Sequence, residues 1–365
     1  EDASAASAAR DVGRRLAEQM DAGARSGPPP LGLVYVSDVF AGDMDAILEI
    51  LKAATGAPAW TGAVGMGVIA GSREVFGAPA IVAMLLDLPA GAAQPFGPID
   101  SAAGFRAVVG QAVDFVGAAG AALGLLHVDP TGDPTGGGVA NFPEDLAAAG
   151  GLYLVGGLCS GQDAMPAIAS GGAAPGAATG AFISLETGVA TGVSQGCAPI
   201  GPVRAIETAA VGVLARLGDK TALAALLEDL GLPMDANASV LREALAGVHI
   251  ALPIQGADRR DYVVRNITGV DPERGLIGIA DAVEDGALAF YCRRDRESAV
   301  RDLTEMAATV RRRLGRPPRG ALYVSCLARG PNLFGPNSEE IAIVRAAIGP
   351  ECPVLGFFAN GEIAH

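Results

Sequence analysis

Three glycine turns follow apolar runs in this chain: Gly65-Met66-Gly67, Gly156-Gly157 with Cys159-Ser160-Gly161 behind it, and Asn360-Gly361-Glu362. In open α/β sheets ligands bind beyond the carboxyl ends of strands, where glycine leaves backbone N–H groups bare. The competing reading is a set of tight turns that need positive φ. Glu362 is the carboxylate in an otherwise apolar segment after Phe357-Phe358. It suits a ligand ammonium group, or an arginine partner such as Arg265 or Arg329. Either arginine could grip a ligand carboxylate through two parallel hydrogen bonds. Glutamate, arginine and free N–H groups together would suit a zwitterion such as an amino acid. A structural ion pair tying the closing turn to the preceding hairpin is the alternative.

Thiol, imidazole and hydroxyl chemistry have weaker signatures. Cys326 ends a strand pattern just before a glycine loop, so it reads either as a partly exposed thiol activated by Arg329 or as a small buried hydrophobe. Cys197, in a glycine/proline turn, carries the same two readings. His127, His249 and His365 show no metal-ligand spacing, so zinc is not expected. There is no GxGxxG opening a helix, no GxxxxGK[ST] and no GxSxG elbow, which removes the common nucleotide-binding and serine-hydrolase motifs. The chain reads as a binding protein rather than an enzyme.

The elements that hold these turns repeat. Ala321–Ser325 reads as a strand, Asn337 as an N-cap with Glu340 three residues on, and Ile341, Val344 and Ile348 as one helix face. Gly349-Pro350 stops that helix, and Val354–Phe358 is a second strand. Leu33–Ser37, an N-cap at Asp43, the Met44–Leu51 helix face and the strand ending at Gly65 repeat the order, and the endings GMGVIA and ANGEIA share letters. A looser third copy runs from Leu125 through a helix over 142–149 to Gly161. Such repetition predicts an α/β fold of duplicated strand-helix-strand units with mixed sheets and glycine turns gathered on one edge. Further expectations are a helix over 4–22, a buried strand within 77–88 paired antiparallel to its predecessor, a hairpin of 181–185 with 188–194, and a long helix over 296–314.

The segments GFFANGEIA, YVSCLARG, the stretch from Arg265 through RNITGVDPERG, and SQGCAPIGP resemble the FIST family, with weaker support from WTGAVGMGVIA and YLVGGLCSG. The resemblance covers the chain from about residue 31 to its end. It implies an N-terminal helix over 1–30, a FIST N-like domain over 31–202 and a FIST C-like domain over 203–365, two FIST-type halves packed together. It also implies a bacterial sensory protein that holds a small ligand between those halves and acts on a signalling protein such as a histidine kinase or cyclic-nucleotide enzyme. Some members resemble haem-binding nitric-oxide sensors, and His127 would then be the axial ligand; otherwise no cofactor is expected. In a eukaryotic branch that serves an F-box ubiquitin ligase, a similar segment carries a cysteine where Cys326 stands. An interaction adaptor without a small ligand is the remaining alternative.

Composition sets the outer limits. The 365 residues carry 26 Lys and Arg against 40 Asp and Glu, a net charge of −14 that disfavours nucleic acid as a partner. The most apolar stretch, near 115–126, is too short to span a bilayer, so a cytoplasmic protein with no membrane partner is expected. Five cysteines without CxxC spacing suit free thiols.

Overall fold

The computed structural model describes residues 4–22, 29–132, 142–253, 262–279 and 283–364. They form a mixed α/β protein of two compact units. The larger unit comprises 1–191 and 310–365, and the smaller comprises 192–309.

The larger unit contains three parallel strand-helix-strand repeats, so the looser third copy is a full member of the set. In the first, strands Leu31–Ser37 and Trp60–Gly65 flank helix Met44–Thr55. In the second, Ala122–Val128 and Tyr153–Leu158 flank Phe142–Gly150, and in the third, Ala321–Cys326 and Val354–Ala359 flank Glu339–Ile348. Each repeat lends its exit strand to another. Gly67–Ala70, leaving the first, pairs antiparallel with Val354–Ala359 of the third. Glu362–Ala364, leaving the third, pairs with Tyr153–Leu158 of the second. Ala167–Ala169, leaving the second, pairs with Trp60–Gly65 of the first. The exchange closes into a ring.

One glycine per repeat makes the ring possible. Gly62, Gly156 and Gly356 each lie between a strand of their own repeat and a borrowed one. Gly62 stands opposite Val34 and Ile168, Gly156 opposite Leu126 and Ile363, and Gly356 opposite Tyr323 and Ile69. A Cβ added at these positions would lie 1.7 Å from the Val34 carbonyl oxygen, and 1.8 Å from those of Leu126 and Tyr323. No side chain fits there. The shared core of the three sheets includes Tyr35, Ala63, Leu125, Leu355 and Phe357, while the helices and outer faces bury separate clusters around Ile47 and around Leu126 and Phe182.

The smaller unit is an antiparallel sheet that closes on itself. Strands Leu288–Arg293, Arg204–Ala210, Val213–Leu217, Leu276–Ile279, Tyr262–Asp271 and Val248–Pro253 pair in that order, and the last pairs back with the first. A two-residue strand, Ala198–Pro199, is added beside Leu288–Arg293. Ile206, Leu214, Ile250, Ile277 and Tyr291 form a core that includes helix Ala222–Asp229. Alternation along the strands puts Cys292, Phe290, Ala251 and Val264 on the other face, in a separate cluster with Cys197.

Several local expectations change. Strand Ile81–Leu86 pairs with Leu31–Ser37 rather than with the strand preceding it. Residues 181–194 form no hairpin, because Ala178–Ser184 lies between Ala122–Val128 and Ala93–Ile99 in one sheet. Just after residue 203, Arg204–Ala210 and Val213–Leu217 form a hairpin. The third-repeat helix is capped at Ser338, in the left-handed region at φ 62°, and Asn337 lies outside the helix. His365 and most of the 129–139 glycine loop lie outside the described residues.

The glycine requirement has a direct test. Gly356→Ala is expected to lower the unfolding free energy by about 3 kcal/mol or more, since backbone must separate to admit the methyl group. Gly110→Ala, in the open on helix Ala102–Ala119, should instead raise it by roughly 0.5–1 kcal/mol. Urea denaturation of the two variants measures both.

Candidate functional site

The predicted glycine turns do come together, but their polar groups serve one another. The Ser160 N–H donates to the Val64 carbonyl at 3.1 Å and the Asn360 N–H to the Leu158 carbonyl at 3.0 Å. The Met66 N–H donates to Ser160 Oγ at 2.9 Å, and that hydroxyl donates to the Phe358 carbonyl at 2.6 Å. Leu158 N–H is taken by the Gly361 carbonyl. Gly65 approaches Phe357, Gly67 approaches Phe76 and Phe358, and Gly157 approaches Ala359 and Val324, each within 3.3 Å of where a Cβ would be. These glycines permit close packing of strands. They do not present bare N–H groups to a ligand.

His127 is fully buried beside them. Its Nε2 is 3.0 Å from the Tyr35 hydroxyl and its Nδ1 is 3.2 Å from Thr61 Oγ1, which lies 3.4 Å from Thr179 Oγ1; the Thr179 hydroxyl donates to the Ile168 carbonyl. One proton arrangement satisfies every group: Tyr35 donates to Nε2, Nδ1–H donates to Thr61, and Thr61 donates to Thr179. Burial pushes the His127 pKa down to about 3. Both ring nitrogens are committed to the core, so a haem iron could bind His127 only by breaking this chain. Cys159 is also fully buried, and burial raises its pKa.

Arg329 and its surroundings form a structural knot. Its Nε donates to Glu340 Oε1 at 2.7 Å, and the Tyr323 and Ser325 hydroxyls donate to the same oxygen at 2.7 and 2.9 Å. The Gly330 N–H donates to Glu340 Oε2 at 2.8 Å. The guanidinium also lies 5.2 Å from the Phe334 ring centroid. Glu340 is completely buried, so the residue expected to complete a helix cap is instead the anion of this pair. Glu362 is exposed, opposite Gly157, and its charge helps to hold the Arg329 pKa up. Cys326 is half-buried at its strand end. Arg265 belongs to the smaller unit, opposite Ile250.

The outer face of the smaller unit gathers a different set. Strand register places His249 opposite Cys292 on one side and opposite Asn266 on the other. Ala198 pairs with Arg293, so Cys197 continues the ladder opposite Arg294, on the face that also carries Cys292. Arg294 donates to the Gln195 carbonyl at 3.1 Å, and the Tyr262 hydroxyl to the Cys197 carbonyl at 3.1 Å. Asp302, on helix Arg296–Leu314, accepts from Ser194 Oγ and the Gly196 N–H, both at 2.8 Å, which holds the 194–197 loop. The Cys197 thiol donates to the Gln195 carbonyl at 3.6 Å, and the neighbouring Cys292 thiol and the Arg294 cation bring its pKa down despite burial. The neighbouring Cys197 and burial push Cys292 up. Burial and Arg294 hold His249 below its ordinary pKa, and its Nδ1 is buried with no hydrogen-bond partner among the described residues. An open depression of ≈ 490 Å³ runs along Arg296, Glu297, Val300 and Arg301 just downstream, and a second of ≈ 260 Å³ lies beside Pro98, Asp100 and Gly171. Neither is lined by the glycine turns.

The family comparison covers both units. Residues 30–220 match the FIST N domain and residues 222–365 the FIST C domain. The chain belongs to the FIST family. FIST domains are associated with sensory signal transduction. Similar proteins include the uncharacterized protein MT0656 of Mycobacterium tuberculosis, 30% identical over 98% of this chain and 93% of the relative. The uncharacterized protein Mb0898c of Mycobacterium bovis is 36% identical over 47% of this chain and 44% of its own length. Among the described residues of this FIST protein, no helix is long and apolar enough to cross a membrane.

Two titration outcomes follow for the larger unit. Glu74 accepts from the Ile341 N–H at 2.8 Å, its second oxygen is buried without a partner among the described residues, and burial raises its pKa to about 7. The native state therefore binds this proton more tightly than the unfolded chain, so the group favours folding at pH 5 and loses that contribution as pH rises through 7. Glu74→Gln should accordingly raise the urea midpoint relative to the parent more at pH 8 than at pH 5. Arg329→Ala should cost roughly 3–5 kcal/mol by leaving Glu340 buried without its cation, measured by the same denaturation.

Proposed function

We propose that this FIST protein is a sensor for a small carboxylate-bearing molecule, and that its ligand contacts lie on the outer face of the smaller unit. The observation that carries this reading is the buried His249 Nδ1, without a hydrogen-bond partner among the described residues, beside a cationic Arg294. A buried polar atom without a partner costs about 1–3 kcal/mol, which a ligand hydroxyl or carboxyl proton would relieve. The guanidinium of Arg294 supplies the charge, and its planar fork suits a carboxylate. Asn266 and the Tyr262 hydroxyl lie on the same face and add polar contacts.

Occupancy would be reported through the loop. Arg294 now holds the Gln195 carbonyl, and Asp302 holds Gly196 and Ser194. An anionic ligand competes with Gln195 for the guanidinium and releases the Arg294 restraint on this loop, leaving those from Asp302 and Tyr262. Binding energy available in only one loop state shifts the population towards that state. The recipient would be a signalling protein of the histidine-kinase or cyclic-nucleotide-enzyme kind, in keeping with the family's sensory association.

Thermal unfolding in the presence of a panel of amino acids and small carboxylates tests the site. A true ligand at a hundred times its dissociation constant stabilises by about 2.7 kcal/mol. Arg294→Ala should abolish the response and Arg106→Ala, on an exposed helix of the larger unit, should keep it. A ligand whose response survives Arg294→Ala would remove the assignment.

A further inference from the structure

Cys197 and Cys292 are 95 residues apart in sequence (292 − 197) and pack in one buried cluster with Ala251 and Phe290, where the Cys197 thiol donates to the Gln195 carbonyl at 3.6 Å. We propose that Cys197 and Cys292 are a hydroperoxide-reactive dithiol that closes to a disulfide on the outer face of the smaller unit. This assignment stands without the ligand reading, because it needs no occupant of the Arg294 face.

The geometry assigns the roles. Cys197 lies at the head of the two-residue strand Ala198–Pro199, which pairs only with Leu288–Arg293, and Pro199 is exposed. Cys292 lies within the longer strand, held on its other side by His249. Both thiols are buried, and an oxidant of water size reaches Cys197 only when the bonds of the 194–197 loop to Asp302, Arg294 and Tyr262 open locally. Arg294, on the same face, favours the anion on Cys197, while burial favours the protonated form of Cys292. The attacking and resolving thiols are therefore already differentiated in the reduced protein.

The chemistry balances with hydrogen peroxide as the oxidant. The Cys197 thiolate attacks one peroxide oxygen, the O–O bond breaks, hydroxide leaves, and Cys197 becomes a sulfenic acid. The Cys292 sulfur then attacks the Cys197 sulfur, the S–O bond breaks, and the oxygen departs as water with the Cys292 proton. Peroxide is reduced by two electrons and the pair is oxidised by two. A low-molecular-weight thiol reverses the bond through a mixed disulfide. Drawing the sulfurs together to about 2.05 Å pulls on the Cys197 carbonyl, and so on the Tyr262 hydroxyl that donates to it.

The test uses the full chain, reduced and desalted, then exposed to hydrogen peroxide. Intact mass should fall by two hydrogens, and peptide mapping should place the bond between 197 and 292. Cys292→Ala should instead let dimedone trap a sulfenic acid on Cys197. Before oxidation, iodoacetamide alkylation of Cys197 should be half-maximal at a pH below the ordinary thiol range, in line with its lowered pKa. Cys292→Ala should move that midpoint up towards the ordinary thiol range, and Cys292→Ser, which retains a hydroxyl donor, should move it less. Peroxide that leaves the 197–292 pair reduced while oxidising Cys326, or an alkylation midpoint unmoved by Cys292→Ala, overturns the proposal. The mapping on the parent protein decides the matter even where a variant fails to fold.

Discussion

The larger unit depends on a close approach of backbone to backbone. At Gly62, Gly156 and Gly356 a neighbouring carbonyl oxygen occupies the place of a side chain. Those three contacts let each repeat take a strand from another on its open flank, so the second strand of every repeat is paired on both sides. An edge strand left unpaired would template aggregation. Here the edge is removed by mutual loan, and isoleucines 168, 363 and 69 pack in equivalent register opposite the three glycines. The Ser160 hydroxyl completes the arrangement where a backbone bond alone does not reach, linking the Met66 N–H to the Phe358 carbonyl.

Polar groups are distributed unequally between the two units. In the larger, the buried polar side chains are largely satisfied internally. Glu340 accepts four donors from its own repeat, and His127 belongs to a chain of hydroxyls that ends on a carbonyl. Such networks rigidify a core because each member fixes the orientation of the next. The outer face of the smaller unit is different in kind. It holds a thiol whose pKa is lowered, an imidazole nitrogen without a partner among the described residues, and an arginine that restrains a loop. Glu74 is the counterpart in the larger unit, a carboxyl with one buried oxygen unpartnered among the described residues.

Much of the scaffold was legible in the residues. The shared letters of GMGVIA and ANGEIA reflect the equivalent register of Ile69 and Ile363, and the periodicity of 44–55 and 339–348 reflects real buried helix faces. The meaning of the glycines was not legible. A glycine required by a ligand and a glycine required by a neighbouring carbonyl look alike in sequence, and only strand register separates them. Glu340 misled for a related reason: its spacing from Asn337 satisfies a local capping pattern, whereas Arg329 reaches it through the fold. Cys197, His249 and Cys292 share no spacing at all. They meet because strands from three parts of the smaller unit align, an outcome set by pairing that no single segment specifies.

The exchanged strands also fix an order of assembly. The third repeat is spelled out by residues after 309, when the whole of the smaller unit has already been synthesised. Until Val354–Ala359 leaves the ribosome, Gly67–Ala70 lacks its central partner, and until Glu362–Ala364 follows, one side of Tyr153–Leu158 is bare. The smaller unit has all its strands in one continuous stretch and can mature while the larger waits. Between the synthesis of residue 309 and that of Val354–Ala364 a nascent chain therefore carries a finished insert in an open host, and the two exchanged strands of the third repeat act as the latch.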